Sequence, residues 1–290
     1  MFKDYSLERS PLYRMRNKRK LAALLHLDKR FFYNKHDFGY EVSIVDKKNG
    51  GTRTTHNPNR RLKAIQKRLA LLIQRIRTPK WLQSGKKKCS YITNGQKHLK
   101  CNYLRTMDIS SFFDSVSRFR VYHFFRDDLM MSSDVASVVT GLVMYGETFP
   151  TGAPTSPLLS YWVYREMFDE IHDIAVKYDC TFTLYYDDMS FSSMHPIPYE
   201  LREEVATVLY SYGLKAKRKK DKYYTQHKYK IVTGFGFVDG NPKLQNAKRK
   251  ELIEGKKELD KKQLDYHCDS TFQGQLSAAR QNERDVFLSF

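Results

Sequence analysis

Cysteine is scarce in this chain, with four in 290 residues, at positions 89, 101, 180 and 268. Their spacing fits neither a zinc site nor a disulfide framework, so the thiols read as reduced and structural. Long apolar runs are missing too. The longest, near Val135 to Tyr145, is broken by Ser, Thr and Gly and falls short of the roughly 18–20 residues that cross a bilayer. The N-terminal residues mix Lys3, Asp4, Glu8 and Arg9 and offer no signal-peptide core. No membrane partner is expected, and the compartment is expected to be the cytoplasm. No internal repeat and no Pro/Gly/Ser-rich linker divides the chain. Acid is in short supply: 32 Asp+Glu stand against 51 Lys+Arg, a net charge of +19. The excess sits in runs such as Arg16–Lys20, Lys86–Lys88 and Lys215–Lys220. That imbalance points to a polyanionic partner, and several basic runs in one chain favour nucleic acid.

Aromatics are plentiful, with 20 Tyr and 18 Phe. Some interleave with cations, as in Lys222-Tyr-Tyr224 and His227-Lys-Tyr-Lys230, a pattern that suits stacked bases and phosphates as well as a core. The most telling segment is Tyr185-Tyr186-Asp187-Asp188. The flanks, Cys180–Leu184 and Met189–Ser193, are β-branched and aromatic and predict two strands with the acids at a hairpin tip. Two adjacent carboxylates repel unless one takes a proton or a hard divalent cation such as Mg²⁺ joins them.

A further carboxylate, Asp108, ends the apolar strand expected at about 103–109. It reads either as a cap for the next turn or as the third ligand of a metal cluster. A folded sheet would be needed to bring it to the hairpin, giving a two-metal site with ions about 3.5–4 Å apart. Between the acids, Pro150-Thr-Gly-Ala-Pro-Thr-Ser-Pro157 reads as a loop entering a helix, with Thr155 or Ser156 as its cap and Pro157 at its first position. Upstream, Tyr40–Val45 and Arg53–His56 predict a strand pair around Gly50-Gly51. Pro58 is expected to open a helix with its apolar stripe at Leu62, Ile65, Leu69, Leu72, Ile73 and Ile76. Helices are expected at about 118–145, 156–178 and 198–212, strands at about 223–238, and mainly helix beyond 243. Strands interleaved with packed helices indicate an α/β or α+β core.

The order Asp108-x4-Phe113, Thr151–Pro157, Tyr185-x-Asp187-Asp188 resembles the palm of a reverse transcriptase. More narrowly, the chain resembles the bacterial retron reverse transcriptases. Asn94-Gly-Gln-Lys-His98 is similar to that family's Asn-Ala-x-x-His element, Val232-Thr233-Gly234 to its Val-Thr-Gly triplet, and Gly274-x-Leu276-Ser277 to its thumb. Two residues depart from the pattern: Thr151 stands where Gln is usual, and Tyr186 where a small residue is usual.

The resemblance implies an α+β right-hand polymerase fold, with N-terminal helices and fingers at 1–101, a ferredoxin-like palm at 102–238 and a small helical thumb at 239–290. It implies RNA-directed DNA synthesis with Asp108, Asp187 and Asp188 as catalytic acids. These acids and the Ile109 carbonyl would ligate two Mg²⁺ ions, with Mn²⁺ as a substitute. Arg53, Phe113, Gly152, Ala153 and Lys219 would face the dNTP, with Phe113 as the gate against ribonucleotides or else a core ring. Lys217, Arg218 and Lys220 match the lysine role by charge as well as Lys219 does. Asn94, His98, Val232, Thr233 and Gly234 would contact RNA or primer, or, for Asn94 and His98, buttress the structure. The implied partners are a cognate structured noncoding RNA (msr–msd), its branched DNA product (msDNA) and an accessory effector in antiphage defence. Two other readings remain open: a defence-associated reverse transcriptase without branched priming, and an inert RNA-binding scaffold.

Overall fold

The computed structural model describes residues 4–27, 39–46, 52–262 and 269–283. The chain forms two compact units, one of residues 1–80, 109–170 and 211–214, the other of 81–108, 171–210 and 215–290. The range 102–238 is thus shared between both units, and 239–290 belongs to the second.

In the first unit, β1 (Tyr40–Asp46) and β2 (Thr52–Pro58) form an antiparallel pair with Val45 opposite Arg53. Gly50 and Gly51, expected to turn this hairpin, lie outside the described residues, as does the Arg53 side chain. Val42, Ile44 and Val45 remain largely exposed, so this pair contributes little core of its own. Pro58 closes β2 rather than opening the helix. Asn59 is the cap, its side chain accepting from the Leu62 amide at 3.0 Å, and the helix runs Arg60–Gln74. Its expected stripe is buried at Leu62, Ile65, Leu69, Leu72 and Ile73, while Arg60, Arg61, Lys63 and Lys67 face solvent. Burying each of these aliphatic side chains contributes roughly 1.5–3 kcal/mol, ample to set the helix face. Gln66 is also buried, with its amide donating to the Tyr40 hydroxyl at 2.7 Å and the Leu142 carbonyl at 2.8 Å.

The second unit holds the sheet that matters most. It contains β3 (Tyr103–Asp108), β4 (Thr181–Tyr185), β5 (Asp188–Ser193) and β6 (Lys222–Tyr224), in the order β4-β5-β3-β6 with every neighbouring pair antiparallel. Numbered along the chain this is a 4-1-3-2 sheet. Helix Arg165–Lys177 falls between β3 and β4 in the chain, and Tyr199–Ser211 between β5 and β6, the split β-α-β arrangement of a ferredoxin-like fold. The outer edge of β4 is covered by Trp81–Ser84, which pairs in parallel: Leu184 N–H donates to the Trp81 carbonyl at 3.0 Å, and Gln83 N–H to the Leu184 carbonyl at 2.8 Å. A covered edge presents no free ladder for stray pairing.

A second sheet, β7 (Lys230–Val232), β8 (Phe235–Val238) and β9 (Asn241–Pro242), packs with helix Tyr91–Gln96 around Ile92, Leu104, Val232, Phe235 and Phe237. Helices Asn246–Lys261 and Ser270–Asn282 share a small core of Leu252, Phe272, Leu276 and Ala279.

Gly95, where the resemblance expects Ala, has a packing reason. A Cβ there would stand 2.3 Å from the Phe235 ring and 2.5 Å from the Phe235 Cβ, too near the backbone for a ring flip to relieve. Gly95→Ala is expected to destabilise the chain by about 1–3 kcal/mol. Pairing it with Phe235→Leu should return little of that loss, because leucine keeps the Cβ and Cγ that the new methyl would meet. Urea unfolding of the two variants measures both.

Candidate catalytic site

The carboxylates meet through strand register. Asp108 ends β3 directly opposite Asp188, the first residue of β5, and Tyr185 at the end of β4 also pairs with Asp188. That leaves Tyr186 and Asp187 as a two-residue hairpin turn. One oxygen from each of Asp108, Asp187 and Asp188 lies within 4.8 Å of the others. Asp108 is buried, while Asp187 and Asp188 are half-exposed, so the trio opens on one side. Three carboxylates at that spacing form an all-oxygen donor set suited to Mg²⁺ or Mn²⁺. Ile109 follows directly and its side chain is buried.

The ammonium that reaches the trio belongs to Lys220, which bonds Asp108 Oδ2 and stands 3.7 Å from Asp188. Lys219, chosen from the sequence, is its exposed neighbour in the short turn Arg218–Lys220. The cause is again register. β3 pairs with β6 through Thr106 and Lys222, and continuing two residues past that pair sets Lys220 opposite Asp108. The Lys217 amide adds a 2.7 Å bond to the Asp108 carbonyl.

Asp221, unremarked in the sequence, anchors this edge. It accepts from Arg105 of β3 at 2.8 Å and from Arg202 at 2.8 Å, with all three side chains largely buried. Arg105 also lies 5.1 Å from the Tyr223 ring centroid. A charge-assisted pair held this dry fixes geometry, and removing one partner strands the other.

The turn itself carries strain. Tyr186 has φ 58°, a conformation open to glycine and unfavourable for a bulky side chain. Its amide donates to Ser84 Oγ at 2.9 Å, and its ring meets Tyr185 edge-on at 4.8 Å.

Other residues named from the sequence occupy definite places. Phe113 is half-buried, its ring stacked on Phe149 at 6.1 Å and set edge-on to Phe112. Gly152 leaves a space that β2 fills, since a Cβ there would stand 2.5 Å from Asn57 Oδ1 and 2.8 Å from the His56 carbonyl. Ala153 is buried. The following helix starts at Ser156 with Thr155 in the cap position, but neither side chain caps it. Thr155 makes no capping bond, and Ser156 Oγ donates back to the Pro150 carbonyl at 2.6 Å, closing the loop on itself.

Asn94 and His98 are both buried. The Asn94 amide donates to Thr233 Oγ1 at 3.1 Å, and His98 bridges Ser192 at 2.6 Å and Thr183 at 2.7 Å on β5 and β4. Burial pushes the His98 ring down to about 3, which keeps it neutral between the two hydroxyls. Their contacts are those of a buttress. Val232 is buried, Thr233 has φ 46°, and the Gly234 carbonyl accepts from Gln245 at 2.9 Å and Lys248 at 3.1 Å.

Burial and neighbouring charge make Asp187 and Asp188 hold protons. Asp187 is pushed up to about 6, first by burial and then by the charge of Asp108; Asp188 is pushed up to about 7, first by burial and then by Asp187. Because these groups keep protons to higher pH folded than unfolded, the unfolded chain binds fewer protons between about pH 4 and 7. Their contribution to stability is therefore intact below about pH 4 and is lost as pH rises towards 7. Asp188→Asn is expected to melt above the unsubstituted chain in EDTA, by a margin larger at pH 7.5 than at pH 5. Each kcal/mol of repulsion removed corresponds to about 2–4 °C. Added Mg²⁺ should raise the melting temperature of the unsubstituted chain and leave the variant nearly unchanged. Equal margins at both pH values would show that the acids do not repel.

Comparison with known proteins agrees with this geometry. The family profile "Reverse transcriptase (RNA-dependent DNA polymerase)" matches residues 45–237. The chain is 27% identical to Retron Ec86 reverse transcriptase of Escherichia coli over 221 residues, covering 74% of this chain and 68% of that protein. It is 28% identical to Retron Mx65 reverse transcriptase of Myxococcus xanthus, covering 67% and 50%, and 24% identical to Retron Se72 reverse transcriptase of Salmonella heidelberg, covering 73% and 58%. The chain thus spans between half and about two thirds of the length of these relatives. With the matched profile, the ferredoxin-like sheet identifies an α+β polymerase palm. Register-paired acids, the hairpin turn that carries Asp187 and a profile match enclosing both place the chain in the reverse transcriptase (RNA-dependent DNA polymerase) family.

Proposed function

We propose that this chain is the RNA-directed DNA polymerase of a retron. It would copy part of a cognate structured noncoding RNA (msr–msd) into short DNA, start from an internal 2′-hydroxyl, and yield branched msDNA that serves antiphage defence with an accessory effector. The observation that carries the reading is the convergence of Asp108, Asp187 and Asp188 within 4.8 Å, beside Lys220. The similarity to three proteins named retron reverse transcriptases supports its narrower part.

Asp108, Asp187 and Asp188 would hold Mg²⁺, which when bound supplies Lewis-acid stabilisation of the charged oxygens of phosphoryl transfer. The chain's own groups do the rest. Lys220 partly neutralises the carboxylates and would donate to the leaving pyrophosphate. Arg53 on β2 would bind the triphosphate through its planar fork. Phe113, braced by Phe149, would exclude a 2′-hydroxyl at the incoming sugar. His98 and Asn94 would stiffen the sheet and the Val232–Gly234 turn, and that turn would meet RNA or primer backbone.

Expression with the flanking genomic DNA should yield bound nucleic acid containing a short DNA whose mobility changes on debranching. Unbranched DNA would point to a defence enzyme with another primer, and RNA with no DNA would overturn the polymerase reading. Asp187→Ala should lower synthesis at least about 100-fold while RNA affinity holds. Equal loss of RNA binding would make the acid structural. Phe113→Ala should raise ribonucleotide incorporation in a primer-extension assay, and unchanged discrimination would remove Phe113 as the gate.

A further inference from the structure

We infer that Ser84 is a positioning residue for the turn that carries Asp187, holding the Tyr186 backbone in a conformation that the Tyr186 side chain disfavours. The catalytic part of this inference rests on the polymerase reading above. A left-handed φ at a bulky residue persists only where its surroundings over-determine it. Here the holding group is specific. Ser84 is 2% exposed and its Oγ accepts the Tyr186 amide at 2.9 Å. The segment that carries Ser84 is itself fixed. Two backbone bonds tie it to Leu184, Leu82 is fully buried, and the Trp81 ring lies 5.3 Å from Phe182 and 5.6 Å from His172. Gly85, at φ 67°, turns the chain away immediately after the serine.

The consequence follows from adjacency. Asp187 is the next residue after Tyr186, so relaxation of the turn moves a carboxylate of the trio. Misplacement on the order of 1 Å at a reacting centre can reduce rate about 100-fold. A glycine at position 186 would adopt the same φ unaided, which makes the serine's role conditional on the side chain present there.

Ser84→Ala and Tyr186→Gly, made singly and together in the full chain, test this. One readout is Mn²⁺ affinity of the nucleic-acid-free protein by electron paramagnetic resonance. The other is dTTP incorporation on oligo(dT) annealed to poly(rA), with melting curves as a check that each variant folds. Ser84→Ala alone should weaken Mn²⁺ binding and lower kcat, each about five- to tenfold, with KM for dTTP nearly unchanged. In the Tyr186→Gly background the same substitution should change either quantity less than about twofold. Equal losses in both backgrounds, or no loss in either, would overturn the inference. If the unsubstituted chain incorporates no dTTP on this template, the polymerase reading is judged by the DNA recovered with its own RNA, while Mn²⁺ affinity still decides the role of Ser84.

Discussion

The antiparallel pairing of β3 with β5 puts Asp108 opposite Asp188 and leaves Asp187 in the adjoining turn. Strands at ladder spacing cannot separate these carboxylates, so the sheet holds a concentration of negative charge that its backbone bonds forbid from relaxing. The surrounding features answer that constraint. β6 runs along the other side of β3 and brings the Lys220 ammonium to the acids, while Asp221 ties the same strand to Arg105 and Arg202. On the far edge, Trp81–Ser84 seals β4 and grips the turn. A cluster that costs stability without metal is a reasonable design when a cation is part of the working state.

Much of this was legible from residue order because the signals are local. A hairpin needs only its flanks and turn, and the Asp187–Asp188 pair declares itself by charge. The stripe from Leu62 to Ile73 follows from helical period alone. What stayed hidden depends on pairings between distant segments. Lys219 and Lys220 are indistinguishable by charge, and the β3–β6 register is what sets Lys220 opposite Asp108. Ser84 carries no motif; its importance arises from a strap lying against β4. Pro58 looked like a helix opener because proline suits a first turn, yet it also suits the end of an edge strand. Likewise, residue order does not show that Gly152 lies against Asn57 and the His56 carbonyl of β2.

The Asn94–His98 and Val232–Gly234 elements, read separately in the sequence, form one piece. Asn94 reaches Thr233, and Gly95 gives its space to the Phe235 ring. His98 carries the same piece onto β4 and β5. Two short motifs 139 positions apart at Asn94 and Thr233 thus constrain each other through a hydrogen bond and a steric fit. A substitution at one changes what the other can accommodate.

β6 has its own implication. It is three residues long, lies at the edge of its sheet, and pairs with β3 through Leu104, Arg105 and Thr106. Short edge strands fray at free energies well below that of global unfolding. Lys220 reaches the carboxylates from the turn that leads directly into this short strand, so its placement depends on the strand's pairing with β3. The Arg105–Asp221–Arg202 link, one residue on from Lys220, is what ties this short segment to β3 and to the helix Tyr199–Ser211.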